Sequence, residues 1–405
     1  MSAMRSEHVS PIDPASLEAV LLPLEESRTL PSAAYTSADV LAWERRRFFE
    51  ATWVCLGRSG LVERPGDQAA VQAGSESIVL TRDEGGSVHG FFNVCRHRGH
   101  ELLEGGERRN HRVIQCPYHA WVYNLDGTLR GAPGFHDREG FDRSDHPLTP
   151  VRLAEWRGWI FANVSGDGAE LLDHVGNLDE VLAPYEPERL AVAVRHDYEV
   201  AANWKIVTEN YHECYHCSSI HPELCKVTPP DSGENIEPTG VWVGGSMVLM
   251  DHARTMSLTG ESFGVILPGL DDRRRRQVLY CALFPNLLIS PHPDYVLTHR
   301  LEPLGPDRTR IVCEWLFAPE ALEREGFDPG YAVEFWDLTN RQDWRACESV
   351  QRGVASRGFR PGPLSEREDE VHDFMALVAR GYLDGRATPP PARPSPAVRA
   401  AGTRR

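Results

Sequence analysis

Across 405 residues the chain has no apolar run approaching a membrane span, no internal repeat, no glycine-rich G-x-G-x-x-G turn in a strand–turn–helix setting and no excess of positive charge. Each absence excludes something. Lacking about twenty consecutive apolar residues, the chain is not expected to cross a bilayer. Lacking the glycine fingerprint, it is not expected to bind a nicotinamide dinucleotide itself, so electrons from such a donor need a separate protein. The formal charge of −16 argues against a nucleic-acid partner, because phosphates demand a basic surface, and is compatible with a basic protein partner. The opening MSAMRSEHVSPIDP has no apolar signal core, and an odd count of nine cysteines cannot pair completely, so a reducing cytoplasm is expected. Cys55, Cys214, Cys217, Cys225, Cys281, Cys313 and Cys347 then read as mostly buried free thiols. The run Arg273 to Arg276, flanked by Asp271 and Asp272, reads as a solvated loop.

What is present is an ordinary globular composition, 41% hydrophobic and 25% charged, long enough for two cores. Residues 1–51 contain a helical stretch, SADVLAWERRRFFEA, expected to pack on the second domain. Residues 52–165 alternate short apolar runs with Gly, Pro and Asp-Gly turns, the pattern of a small all-β domain. Residues 166–385 mix strands (RHDYEVAANWKIV, QVLYCALFPNLLIS, DYVLTHRLEPL, RTRIVCEWLFAP) with helices, including ENYHECYH and long patterns near 331–352 and 365–382. Strands and helices without strict alternation predict an α+β domain. The Pro- and Ala-rich residues 386–405 predict a disordered tail.

Two constellations carry chemistry. In NVCRHRGHEL and IQCPYHAW, Cys95-x-His97 is followed after eighteen residues by Cys116-x-x-His119, each half able to form a hairpin tip with Gly99 and Pro117 at turns. Two thiolates and two imidazoles suit a binuclear iron–sulfur cluster with one iron on cysteine and the other on histidine. Neutral imidazoles remove negative charge and raise the potential, and Arg96 and Arg98 push the same way. Structural zinc is the alternative, although zinc modules usually supply Cys-x-x-Cys pairs.

The second is Glu213-x-x-His216-x-x-x-x-His221. On a helix, positions three apart share a face, whereas five apart do not, so His221 needs a break, which Pro222 can supply. Two imidazoles and one carboxylate on one face of Fe(II) leave positions open for oxygen and substrate. The carboxylate candidates in the late helix are Asp343, Glu348 and Asp337.

The segments CRHRG and CPYHAW resemble the Rieske signature, and with ENYHECYH about a hundred residues downstream the chain from about Trp53 to Tyr382 resembles Rieske non-haem iron oxygenase α subunits. This resemblance implies a [2Fe–2S] domain followed by a catalytic domain with a central antiparallel sheet of helix-grip, START-like form. It implies Asp343 as third iron ligand, O2 as co-substrate and a flavin and iron–sulfur reductase oxidising NADH or NADPH. It further implies a homotrimer in which the cluster of one subunit serves the iron of the next. Glu213, with Asn210 nearby, would bridge His216 to His119 of the neighbour. NWKIVTENYHECYHC and VGGSMVLMDHARTMSLTGES look most like the glycine betaine and proline betaine demethylase group. That implies hydroxylation of an N-methyl carbon and loss of formaldehyde, with Trp242, Phe263, Trp315 and Phe317 as possible cation–π walls. Arg254, Asn286, His292 and His299 are possible partners for a substrate carboxylate. An aromatic ring-hydroxylating or O-demethylating oxygenase, a Rieske ferredoxin-like electron carrier and a non-catalytic relative are the alternatives.

Overall fold

The computed structural model describes residues 9–135 and 138–391, so residues 392–405 of the expected tail lie outside the described residues. The chain forms two compact units, Ala42–Leu171, and Met1–Leu41 together with Leu172–Arg405.

The first unit is built of ten short strands: β1 (Val54–Arg58), β2 (Asp67–Ala73), β3 (Glu76–Arg82), β4 (Val88–Phe92), β5 (Arg108–Asn110), β6 (Ile114–Gln115), β7 (Val122–Tyr123), β8 (Leu129–Gly131), β9 (Arg152–Trp156) and β10 (Trp159–Asn163). They pair as three small antiparallel sheets in the orders β1-β10-β9, β4-β3-β2-β5 and β6-β7-β8. Strands this short hold only because alternate residues enter a common core, here Val79, Phe91, Ile114, Trp121 and Tyr123, and Cys95 and Cys116 belong to that core.

The second unit is organised on one seven-stranded antiparallel sheet: β11 (Ala191–Val200), β12 (Glu234–Asn235), β13 (Trp242–Val248), β14 (Gln277–Leu283), β15 (Leu287–Pro291), β16 (Tyr295–Gly305) and β17 (Arg308–Phe317), in the order β11-β17-β16-β15-β14-β13-β12. Four helices matter for the site: α1 (Trp204–Tyr211), α2 (Cys217–Ile220), α3 (Gly330–Val354) and α4 (Asp369–Asp384). The strand expected through RHDYEVAANWKIV stops at Val200, because the Asn203 side chain accepts the Lys205 N–H at 3.1 Å and starts α1. Helix α3 buries Ala332, Phe335, Trp336, Thr339 and Asn340, a stripe at helical spacing. Phe335 and Trp336 join Tyr295, Leu297, Trp315 and Phe317 of the sheet in one core. Each such large side chain contributes about 2 to 3 kcal/mol when fully buried, so α3 is held rigidly against the sheet. The segment Pro14–Leu21 packs on α4, and the short helix Ser32–Thr36 packs on α3. Among the described residues no helix is long and apolar enough to cross a membrane.

Candidate metal centres

The first constellation sits on two matched loops. In one, the Cys95 N–H donates to His100 O at 2.8 Å and the Gly99 N–H to Cys95 O at 3.0 Å; in the other, the Cys116 N–H donates to Trp121 O at 2.8 Å and the Ala120 N–H to Cys116 O at 3.1 Å. Both turns close through a left-handed residue, Gly99 at φ 73° and Ala120 at φ 57°. Glycine adopts that conformation freely; alanine does so at a cost of about 1 to 2 kcal/mol, which the loop's other bonds must offset. Pro117 lies in the turn as expected, and Ala120 closes it.

The matched loops bring the two thiols inward, where both are buried, and leave His97 and His119 half-buried with ring centroids 4.6 Å apart. Trp121 stacks on His97 at 5.0 Å. Burial, then the charges of His119 and Arg98, hold His97 below the ordinary imidazole range, favouring the neutral form that binds metal. Its Nδ1 is buried and has no hydrogen-bond partner, as a ligand atom would be before a metal satisfies it. The Arg98 guanidinium lies over the Tyr118 ring at 5.6 Å. One contributor was invisible in the motif. The Tyr123 hydroxyl accepts the Arg96 N–H at 3.1 Å and lies 3.3 Å from Cys95 Sγ, so its proton is free to point at sulfur. Burial and the neighbouring Cys95 push this phenol up, keeping it protonated.

The second constellation departs from the helix expected through ENYHECYH, while the break expected before His221 is present. Helix α1 ends at Tyr211, His212 is already non-helical, and Glu213 to His216 form a turn before the single-turn α2. Glu213 and His216 still meet, because the turn itself is closed by the His216 N–H on Glu213 Oε2 at 3.1 Å, and His216 Nδ1–H also donates to Glu213 Oε1. His221 leaves helical geometry at φ −124°, ψ 64°, as a residue before proline should. Helix α3 then delivers Asp343. Asp343 Oδ1 lies 2.8 Å from His221 Nε2 and 3.4 Å from His216 Nε2, and the three ligand atoms fall within 4.8 Å of one another.

Outer partners fix both rings. Glu213 holds Nδ1 of His216, and the Gln342 amide oxygen accepts from Nδ1 of His221 at 2.7 Å, so both Nε2 atoms face one carboxylate. Burial alone would raise the Asp343 carboxyl, but hydrogen bonds from His216 and His221 hold it below the usual range. Burial lowers His216, yet hydrogen bonds to Asp343 and Glu213 carry it to about 9. Two imidazole nitrogens converging on one half-buried carboxylate oxygen is a donor set that a divalent cation would satisfy with the protons gone. The competitors are engaged elsewhere: Asp337 accepts from the Tyr198 hydroxyl at 2.6 Å and from Arg341 at 2.8 Å, and Glu348 accepts the Ala201 N–H at 3.3 Å.

Comparison with known proteins decides the family. The Rieske [2Fe-2S] domain matches residues 52–143, and the ring hydroxylating alpha subunit catalytic domain matches residues 187–383. The glycine betaine monooxygenase oxygenase subunit of Chromohalobacter salexigens is 32% identical, covering 86% of this chain and 84% of its own. The chain belongs to the Rieske ring-hydroxylating oxygenases. A carnitine monooxygenase oxygenase subunit from Acinetobacter baumannii is 37% identical over 82% of this chain and 86% of its own. The crystal structure of the quaternary ammonium Rieske monooxygenase CntA with an inhibitor superposes with a TM-score of 0.78 at 25% identity, covering 92% of this chain and 99% of that one. The protein is therefore an oxidoreductase that works with a [2Fe–2S] cluster, mononuclear iron, O2 and electrons from a separate reductase.

In this Rieske oxygenase a cavity of about 330 Å³ opens at His216, His221 and Asp343. Its apolar walls are Tyr211, Tyr280, Trp336 and Met247, and its polar lining includes Glu213, Asp231, Asp343, Glu366, Asp369 and Glu370 against a single arginine, Arg367. Gly245 of β13 lies beside Glu370. A Cβ there would collide with Glu370 Oε1 and come 2.5 Å from Glu234 O. Asn210 also lines the cavity.

The aromatic walls expected from sequence are not these. Trp315 and Phe317 fill the core beneath, Trp242 is buried and donates to Asn177 Oδ1 at 3.2 Å, and Phe263 is exposed beside Tyr331 at 5.5 Å. None of Arg254, Asn286, His292 and His299 reaches the cavity: His292 stacks on Tyr295 at 4.1 Å and His299 donates to Asn340 Oδ1 at 3.1 Å. The arginine run is partly structural, since Arg276 donates to the carbonyls of Leu249, Met250 and Ala253. The free-thiol expectation fails at one pair. Cys214 and Cys217 form a disulfide that brackets His216, while none of the other seven cysteines is disulfide-bonded.

Proposed function

We propose that this oxygenase removes an N-methyl group from a quaternary ammonium substrate. The observation that supports this most is the cavity: three aromatic rings and six carboxylates against one arginine form a lining that favours a diffuse cation. Cys95, His97, Cys116 and His119 are the cluster ligands in this reading, and His216, His221 and Asp343 the iron ligands. When bound, the cluster delivers stored electrons and the iron activates O2. Tyr211, Tyr280 and Trp336 orient the ammonium and exclude water. Overall, O2, two electrons and two protons convert one N-methyl to N-hydroxymethyl plus water, and the hydroxymethyl compound then loses formaldehyde and a proton to leave the amine.

Glu213 is the group that links the centres, since it already takes the Nδ1 proton of His216 on its own chain. This role belongs with a homotrimer, in which His119 of a neighbouring copy meets Glu213; light scattering of the holoprotein tests the assembly. A cytoplasmic location is part of the same reading, supported by the five cysteines, Cys55, Cys225, Cys281, Cys313 and Cys347, that are neither cluster ligands nor disulfide-bonded.

The deciding experiment measures formaldehyde release and reductant consumption with glycine betaine, carnitine, choline and aromatic acids. Coupled formaldehyde release from a quaternary ammonium is expected. Tight coupling to an aromatic acid alone would replace this reading with ring hydroxylation or O-demethylation.

A further inference from the structure

We propose that the Cys214–Cys217 disulfide is a reversible clamp on the turn that carries His216, and that thiol–disulfide exchange at this pair sets how firmly the mononuclear iron is held. The inference rests on the reading of His216, His221 and Asp343 as iron ligands and extends it to the regulation of that site.

The cross-link joins residues three positions apart, with Cα atoms separated by 4.8 Å, and encloses His216. Each of its ends is attached to a group that aims an imidazole. Cys214 directly follows Glu213, which holds Nδ1 of His216, and the Cys217 carbonyl accepts the His221 N–H at 2.9 Å. The bond thus ties together the backbone that points both rings at Asp343. Two hydrogen bonds cross the same turn, from the Cys217 N–H to Cys214 O at 3.2 Å and from the His216 N–H to Glu213 Oε2 at 3.1 Å. Hydrogen bonds in a turn at the surface open locally, whereas a covalent ring does not, so breaking the S–S bond frees the turn to leave the geometry that converges on metal.

The pair is also placed for exchange. Both cysteines line the cavity, Cys214 is half-buried, and Tyr215 between them is 56% exposed, so the turn faces solvent. A disulfide in a reducing compartment is usually transient rather than a permanent staple. The exchange balances with a small-molecule dithiol: its thiolate attacks one Sγ, the Sγ–Sγ bond breaks, and the dithiol becomes a disulfide as two electrons and two protons pass to Cys214 and Cys217. A small-molecule disulfide reverses the step.

The test equilibrates the full-length, cluster- and iron-loaded protein anaerobically with glutathione disulfide or with dithiothreitol, alkylates free thiols, and maps Cys214 and Cys217 by peptide mass. The pair should be unlabelled after the disulfide, labelled after the dithiol, and unlabelled again when the treatments are reversed. Transfer of the mononuclear iron to a ferrous chelator should be about tenfold faster from the dithiol-treated protein, the order expected for opening so short a ring, while cluster absorbance stays constant. Cys214→Ser should release iron at the faster rate after either treatment. Thermal melts report its folding, and should it fail to fold, Cys217→Ser and the two treatments of the wild type decide. A pair labelled alike after both treatments, iron release at one rate in both redox states, or a dithiol effect of equal size in Cys214→Ser would overturn the inference while leaving the ligand reading intact. If the protein retains no mononuclear iron in either state, that reading falls and this inference with it.

Discussion

Replacing Tyr123 by phenylalanine isolates one hydrogen bond to the cluster and should lower its reduction potential. With its oxygen accepting the Arg96 N–H, the phenol can direct its proton at a Cys95 thiolate 3.3 Å away, and a donor aimed at a ligand sulfur stabilises the reduced, more negative state more than the oxidised one. A net hydrogen bond is worth about 1 kcal/mol, and with one electron transferred a tenfold change in equilibrium, about 1.4 kcal/mol, corresponds to about 59 mV. The expected shift is therefore about 40 mV downward. The substitution keeps the ring that fills the core, so the fold should survive, although the Arg96 N–H loses its acceptor at a cost of about 1 kcal/mol. Because burial pushes the phenol up, the shift should be the same at any pH at which wild-type Tyr123 is protonated. Potentiometric titration followed by visible absorbance measures it. A potential unchanged within about 10 mV in a folded, cluster-loaded variant, or one that rises, would refute the assignment of this proton to the sulfur.

Three further outcomes are expected. Gln342→Leu frees Nδ1 of His221 and should weaken retention of the mononuclear iron about 10- to 100-fold while the cluster iron stays; unchanged iron content after dialysis would contradict the orienting role. Glu213→Ala should leave both metals bound yet cut coupled turnover by an order of magnitude or more, and unchanged oxygen consumption and product yield would remove it from the electron path. His174 is buried, pairs with Phe284 O at 2.7 Å, and burial pulls its imidazole down to about 4. Since the unfolded chain takes up the proton near pH 6.5, stability should be flat above that value and fall by about 3 kcal/mol as pH drops toward 4. Denaturant melts of wild type and His174→Gln at pH 7 and pH 5 check this, and an identical pH slope in the two proteins would refute it.

The candidate ligands could be picked out from sequence because each motif is local: Cys95 with His97, Cys116 with His119, and His216 with His221 are separated by only a few residues of backbone. Asp343 needed the family resemblance, since spacing alone could not separate it from Asp337 and Glu348, which the turn of α3 sends to other partners. The cavity was not legible. Tyr211, Met247, Tyr280, Trp336 and Glu370 come from five elements, and only the register of β13 against β14 and the packing of α3 and α4 bring them together. Aromatic residues chosen by type instead proved to be core, the usual destination of large rings. The early end of α1 at Tyr211 carried no proline or glycine to announce it, and the Cys214–Cys217 pair looked like two more buried thiols until the turn drew them together.

The bare backbone at Gly245 limits how this enzyme can be re-engineered. With Glu370 and the neighbouring chain already pressed against it, that position cannot accept a bulkier residue to shrink the chamber. Met247, two residues along the same strand and also on the cavity wall, has an adaptable thioether that can be trimmed or lengthened. Attempts to shift the range of accepted amines should start there.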